Sequence, residues 1–291
     1  MTDWIAVDLQ PGLARGWSMR GDSVLDRAQL AAPLTPVTAA AAAPLLAGLR
    51  AALPGDAARP LLICGLAVAP QAVPAKPADL VPLPLPLPDA GALALPALSQ
   101  TSPPGLMPGA AARIAGFFAL NPRWDGVICL PGPLTHWVQV SAEEVVSFQS
   151  FLSGTLATAL ATAPLLHEAL ADQGWAEQAF AEALDTTLSR PERLAAGLAA
   201  LQADHALGRL AAGTAPARLS GLLTGAELAA ARPYWLGQQV ALLGEPADTR
   251  PYAAALERQG VPCLRADPAR MALAGLTAAW RRQSAAGRAP G

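Results

Sequence analysis

Lysine is all but missing from this chain of 291 residues: Lys76 is the only one, and Asn121 is the only asparagine. Arginine carries the basic charge instead, a bias we read as genome base composition rather than chemistry. One consequence is chemical all the same. No GK[ST] phosphate loop exists, and Lys76, the sole Schiff-base candidate, sits in a proline-rich stretch that suits it poorly. Charge of either sign is scarce, at 14% of residues with a formal net charge of −2. Without a basic patch or a block of like charges, neither nucleic acid nor an anionic membrane is expected as the main partner. Cysteine is limited to Cys64, Cys129 and Cys263; the first two lie in the apolar runs LLICGLAV and GVICLPG, which read as buried strands. Scattered thiols of this kind fit a reducing compartment. No cysteine pair has ligand spacing, and His136, His167 and His205 form no HxxxH, so a metal site of protein nitrogen and sulfur is not expected. No run of about 18 apolar residues escapes proline, glycine or charge, which leaves no membrane span. The start, MTDWIAVDLQ, lacks the basic-then-apolar pattern of a signal peptide. The expected location is the cytoplasm.

What the chain does have is apolar residues, 53% of the total and enough for a large core, and an internal echo. Trp4–Met19 (WIAVDLQPGLARGWSM) and Asp125–Val140 (DGVICLPGPLTHWVQV) each read as a strand, a turn carrying Pro and Gly, and a second strand with a tryptophan. A third strand-like run follows each, SVLDRAQL and EEVVSFQSFL. The pattern predicts either a duplicated domain or two unrelated hairpins. Helices are expected at Val37–Leu53, Ala110–Leu120, Leu156–Leu170, Trp175–Leu188, Pro191–Leu210 (with Ser189 as its cap), Gly221–Ala231, Tyr252–Gln259 and Pro268–Arg282. Strands are expected at Leu61–Cys64, Gln239–Leu243 and Cys263–Arg265. Alternate prolines keep Pro74–Pro88 out of any central strand, so it is polyproline-like or an edge. The tail to Gly291 is expected to fray.

Five stretches carry a resemblance that covers nearly the whole length: WIAVDLQPGLARGW, CLPGPLTHWVQV, SFQSFLSGTL, LSGLLTGAELAAARPYW, and ALLGEPADTRPYAAALERQG running on to MALAGL. On these the chain resembles the 2-dehydro-3-deoxygalactonokinase family. The resemblance implies an α/β, two-lobed actin-like ATPase (ribonuclease H-like) fold, each lobe opening with a three-stranded antiparallel meander. It implies an amino-terminal lobe, 1–121, on the sugar-acid side and a carboxy-terminal lobe, 122–291, on the nucleotide side. ATP and Mg²⁺ are the implied cofactors. A small sugar acid and a nucleotide are the implied partners, and a homodimer stays open.

The same resemblance implies where the site lies. The family's first turn, roughly D-x-G-S-T-x-x-R, is matched here at Asp8 and Arg15, with Asp8 the implied Mg²⁺ ligand and both residues catalytic. Gln10 and Pro11 replace the turn's glycine and serine, leaving Gly12 to restore backbone freedom. The second turn, close to P-G-T-H-x-K-W, reads Pro131-Gly132-Pro133-Leu134-Thr135-His136-Trp137, so Gly132, Thr135 and His136 are the candidates for phosphate contact. A lone histidine after a turn is equally read as a solvated residue. Gly221, Gly225, Glu227 and Gly244 match elements that would hold adenosine, and the glycines could equally serve helix packing or turns.

Three departures matter more. The family's M-R-G-E-E-T becomes Met107-Pro108-Gly109-Ala110-Ala111-Ala112, and no Asp or Glu occurs between Asp89 and Asp125. Phosphoryl transfer to a hydroxyl needs a carboxylate to accept or orient the proton, and that base is absent from its expected place. A G-S-x-x-G-W segment becomes Ala67-Val68-Ala69-Pro70-Gln71-Ala72, and a T-G-E element becomes Ser153-Gly154-Thr155. Two readings follow: ATP-dependent phosphorylation of 2-dehydro-3-deoxygalactonate with weak or lost activity, or a catalytically dead relative that binds ligand or regulates. A different enzyme on this frame finds no Ser/His/Asp or Cys/His constellation in its support.

Overall fold

Two-residue turns at Pro11-Gly12 and Gly21-Asp22 fold the first echo back on itself. They join β1 (Asp3–Gln10) to β2 (Leu13–Arg20) and β2 to β3 (Ser23–Ala31), all antiparallel. Gly12 and Gly21 sit at φ +85° and +57°, the left-handed region such tight turns require. The structure, a computed structural model, describes residues 3–33, 38–56, 58–66, 68–85, 91–172 and 174–286. The expected helix start at Val37, Ala67, the end of the proline stretch at 86–88 and the tail at 287–291 lie outside the described residues.

After β3 come α1 (Ala39–Ala52), capped by the Thr38 hydroxyl, then β4 (Leu61–Cys64) and the short β5 (Gln71–Ala72). Next are β6 (Leu83–Pro84), β7 (Ala92–Ala94), β8 (Leu98–Gln100), β9 (Gly105–Met107) and α2 (Ala110–Leu120). The first sheet runs β3-β2-β1-β4-β7-β6, with β4 parallel to β1; a small sheet runs β5-β8-β9. The proline stretch supplies β6 at the sheet's edge, where a missing N–H does no harm. β1 is buried on both faces; Ile5, Val7 and Leu9 pack with Ala42, Leu46 and Leu49 of α1.

The second echo repeats the plan. β10 (Gly126–Leu130), β11 (Thr135–Ser141) and β12 (Glu144–Phe151) form the meander. Then come α3 (Ser153–Thr162), α4 (His167–Leu170), α5 (Glu177–Ser189), α6 (Leu194–Ala206), α7 (Thr214–Ala230) and α8 (Arg232–Trp235). β13 (Val240–Leu243), α9 (Pro246–Arg258), β14 (Cys263–Ala266) and α10 (Pro268–Ala286) complete the chain. The sheet runs β12-β11-β10-β13-β14, with β13 parallel to β10. Both sheets add a parallel fourth strand on the same side of the same meander, which two unrelated hairpins would not do.

The elements correct the sequence reading in several places. The helix expected at 156–170 is two, α3 and α4, because Ala163 turns extended ahead of Pro164. Ser189 caps nothing; its hydroxyl donates back to the Asp185 carbonyl, and Arg190 precedes the 3₁₀ turn Pro191–Arg193. α7 begins at Thr214 rather than Gly221, with Pro216 accommodated in its first turn. The described residues cluster into two compact units, one within Met1–Gly126, Val138–Phe148 and Ala266–Gly291, the other within Val127–Trp137 and Gln149–Arg265. The last helix therefore belongs with the first unit. Among the described residues no helix is long and apolar enough to cross a membrane.

Candidate functional site

The register of the first sheet builds one polar cluster. Asp8 lies opposite Arg15 on β2 and opposite Cys64 on the parallel β4. Residues opposite one another share a face of a sheet, so carboxylate, guanidinium and thiol meet. Gln10, two residues on, shares that face and donates from Nε2 to Asp8 Oδ2 at 2.5 Å. From α2, Arg113 Nη2 donates to Oδ1 at 3.1 Å, while Arg15 Nη1 stands 3.7 Å from Oδ2. The Cys64 thiol donates to Oδ1 at 3.3 Å. Burial first, and then the charge of Asp8, push that thiol well above its ordinary range, so it is a protonated donor and not a nucleophile. The Asp8 side chain is 0% exposed, those of Arg15 and Arg113 6% and 13%. One carboxylate faces two guanidiniums where water barely reaches.

The sequence reading singled out Asp8 and Arg15 but not Arg113, which shares their cluster. Its one signal was a single charged residue inside AAARIAGFFAL, a helix otherwise built of small and apolar residues. Gly12, at the turn, is not a phosphate donor here: its N–H is taken by the Pro33 carbonyl at 2.9 Å.

The second unit holds a separate network around Glu227 of α7, which is 3% exposed. Trp137 Nε1 donates to Oε1 at 2.8 Å and Tyr252 OH to Oε2 at 2.9 Å. The Tyr252 hydroxyl also meets Thr135 Oγ1 at 2.9 Å. Burial raises the Glu227 carboxyl above its ordinary range, and hydrogen bonds from Ser153, Trp137 and Tyr252 draw it part of the way back. A raised carboxylate contributes its full stability below the ordinary glutamate value of 4.5, and that contribution is lost as pH rises through the folded value. Glu227→Gln keeps the shape and still accepts from Trp137. Thermal melts from pH 5 to pH 8 are expected to show wild type losing stability relative to this variant as pH rises; a constant difference would contradict the assignment.

Thr135 and His136, expected to face phosphate, are turned inward. Thr135 is fully buried on Tyr252, and His136, 8% exposed, bonds through Nδ1 to Ser150 Oγ at 2.7 Å. Gly221 and Gly225 face α5. A Cβ at Gly221 would overlap the Phe180 carbonyl, and one at Gly225 the Thr187 hydroxyl, so both glycines exist to let α7 lie against α5. Gly244 packs against Pro131 and Thr249 at 3.1–3.3 Å from where its Cβ would stand.

A cavity of about 350 Å³ does lie in this unit, within the usual range for small-molecule sites. Its walls are the start of α3 with Ser153 and Gly154, the other face of α7 with Ser220 and Thr224, α9 with Asp248 and Tyr252, and Gly132 of the β10–β11 turn. Gly154 is needed there, because a Cβ would overlap the Gly132 carbonyl. Glu227 acts behind this wall, holding Ser153 and Tyr252 in place. Asp248 is the lining's one charged residue, its carboxyl raised by burial and then by nearby Glu245. The donor set suits hydroxyls and an apolar ring, the parts of a nucleoside, and offers no cation to a polyphosphate. A larger groove, about 640 Å³ between α5, α6 and α7, is lined by none of the expected site residues.

A model of the family described as 2-keto-3-deoxy-galactonokinase matches residues 12–279. The chain is 29% identical over 295 residues to Probable 2-dehydro-3-deoxygalactonokinase DgoK1 of Rhizobium meliloti (strain 1021), covering 96% of each. A crystal structure from Sinorhizobium meliloti, described as a candidate 2-dehydro-3-deoxygalactonokinase, superposes with a TM-score of 0.86 at 29% identity and 96% coverage of both chains. At 9% identity and a TM-score of 0.57, the activator of the 2-hydroxyisocaproyl-CoA dehydratase from Clostridium difficile, solved with bound ADPNP, shares the fold over 100% of this chain and 99% of its own.

Proposed function

Because the chain belongs to the 2-keto-3-deoxy-galactonokinase family and takes the two-lobed actin-like ATPase fold, we propose that it is a cytoplasmic nucleotide- and sugar-acid-binding relative of the ATP-dependent 2-dehydro-3-deoxygalactonokinases, with phosphoryl transfer weak or lost. The sugar acid belongs to the lobe of residues 1–121 and the nucleotide to that of 122–291. One observation carries the reading: the carboxylate expected to serve the transferring phosphoryl group, Asp8, is enclosed by Arg113, Arg15, Gln10 and Cys64. No acid between Asp89 and Asp125 stands in for the missing base.

The nucleoside fits the cavity of the second unit. Ser153, Ser220, Thr224 and Asp248 would hold its hydroxyls, with Leu219 and Leu223 against the base. ATP, when bound, supplies a transferable γ-phosphoryl group. What this chain's residues contribute is binding and orientation, with Glu227 fixing Tyr252 and Ser153 from behind. A second reading, active transfer to 2-dehydro-3-deoxygalactonate, is favoured by the family match running across residues 12–279.

The test is ADP release from Mg·ATP in the presence of 2-dehydro-3-deoxygalactonate, beside calorimetry of nucleotide and sugar acid separately. Binding with background turnover is expected. Nucleotide binding should disappear in Ser220→Trp, whose ring fills the cavity. A kcat of about 1 s⁻¹ or more, ordinary for an enzyme, overturns the proposal in favour of active transfer.

A further inference from the structure

Asp8 is the residue that the resemblance would have hold Mg²⁺, and its surroundings do not fit that ion. Magnesium demands near-octahedral oxygen ligands at about 2.0–2.1 Å, usually one or two carboxylates and several waters. Here Oδ1 already accepts from Arg113 Nη2 and the Cys64 thiol, and Oδ2 accepts from Gln10 beside Arg15. The side chain has no exposed surface through which ligand waters could enter. A dication brought to Asp8 would meet two guanidiniums of its own sign within the same buried cluster, and would have to displace at least Arg113 to reach Oδ1.

Both arginines keep their protons in proteins, so the charge they bring to Asp8 is fixed. The place in the fold where the resemblance would put a divalent cation thus holds guanidinium charge, Arg15 from β2 and Arg113 from α2. Residues 110 and 111, where the resemblance would put two glutamates, are alanines, so α2 brings a cation and no acid to Asp8.

We propose that the Arg113–Asp8–Arg15 cluster excludes a divalent cation, and that this protein binds its nucleotide without one. The second half rests on the nucleotide reading given above; the first stands without it. Wild-type protein titrated with Mn²⁺ and followed by electron paramagnetic resonance is expected to leave the ion free. Stoichiometric Mn²⁺ binding overturns the exclusion whatever the fate of the nucleotide reading. Arg113→Met keeps the bulk of the side-chain stem and removes the cation from Oδ1, leaving there only the neutral Cys64 thiol. Folding checked by circular dichroism, this variant is expected to gain a Mn²⁺ site that Asp8→Asn/Arg113→Met lacks. A folded Arg113→Met that gains none overturns the role given to Arg113. Calorimetry with ADP is expected to give the same Kd within about twofold in EDTA and in Mg²⁺, and tenfold tighter binding with Mg²⁺ overturns the second half. ADP that binds in neither buffer sinks the nucleotide reading, while the Mn²⁺ titration still decides the exclusion.

Discussion

Asp8→Ala is expected to lower the free energy of unfolding by about 3–5 kcal/mol, the cost of leaving a buried charge without its partner. Asp8 is wholly buried and is the acid that Arg113 and Arg15 reach in the core of the first unit. Without it Arg113 and Arg15 lose the carboxylate they share, and Gln10 and Cys64 lose their acceptor. Asn at this position keeps the shape but not the charge and should fall nearly as far. The triple variant Asp8→Leu/Arg15→Met/Arg113→Met should recover most of the loss, because replacing a whole buried ionic group with apolar volume is often neutral or stabilising. Urea unfolding of the three variants measures this; an Asp8→Ala midpoint within about 1 kcal/mol of wild type would contradict the burial argument. A practical point follows for enzymology. Turnover lost in Asp8→Ala reports on folding as much as on catalysis, so Ser220→Trp in the other unit is the sounder control.

The sheets were legible in the sequence because strands and tight turns are local. Leu61–Cys64 and Ala110–Leu120 stand where apolar runs and flanking breakers put them, and the Pro-Gly turns of the two echoes set both meanders. Helix ends were less so. Pro164 broke a helix that alanine and leucine favoured, and Pro216, readable as a stop, sits harmlessly in a first turn where no N–H is missed.

The candidate site was legible only in part, for a different reason. Asp8 and Arg15 sit in one hairpin, so a short motif could pair them. Arg113 reaches Asp8 from 105 positions away, and no local pattern announces such a contact. Glycine is ambiguous in another way. Gly221 and Gly225, four apart, mark one face of a helix whether that face meets a nucleotide or another helix; only the Phe180 carbonyl and the Thr187 hydroxyl decide it. Thr135 and His136 are read from their position after a turn, yet as neighbours on β11 they point to opposite faces of the sheet, where Tyr252 takes the one and Ser150 the other. The segments that define the fold thus stand beside a polar cluster centred on Asp8, and the fold alone does not fix what that cluster does.

Gly116→Ala and Gly275→Ala are each expected to destabilise the first unit by about 3 kcal/mol, the upper part of the overpacking range, even though alanine is the better helix former by about 1 kcal/mol. The sign is decided by what a Cβ would strike. At Gly116 of α2 it overlaps the Met271 carbonyl oxygen of α10, and at Gly275 of α10 it overlaps the Ala112 carbonyl oxygen of α2. Both obstacles are backbone, so no rotamer change makes room and the helices must part. Parting them loosens buried Phe117, Met271 and Leu276 and the stacked Trp4–Trp280 pair, whose ring centroids are 4.6 Å apart. The two positions face each other, since the Gly116 Cβ would also come within 2.8 Å of the Gly275 nitrogen. Once one substitution has separated the helices, the second finds space already open. The double variant should therefore cost clearly less than the sum of the singles. Guanidinium unfolding of the four proteins tests this, and additive losses would mean that each helix yields independently instead of through their shared crossing.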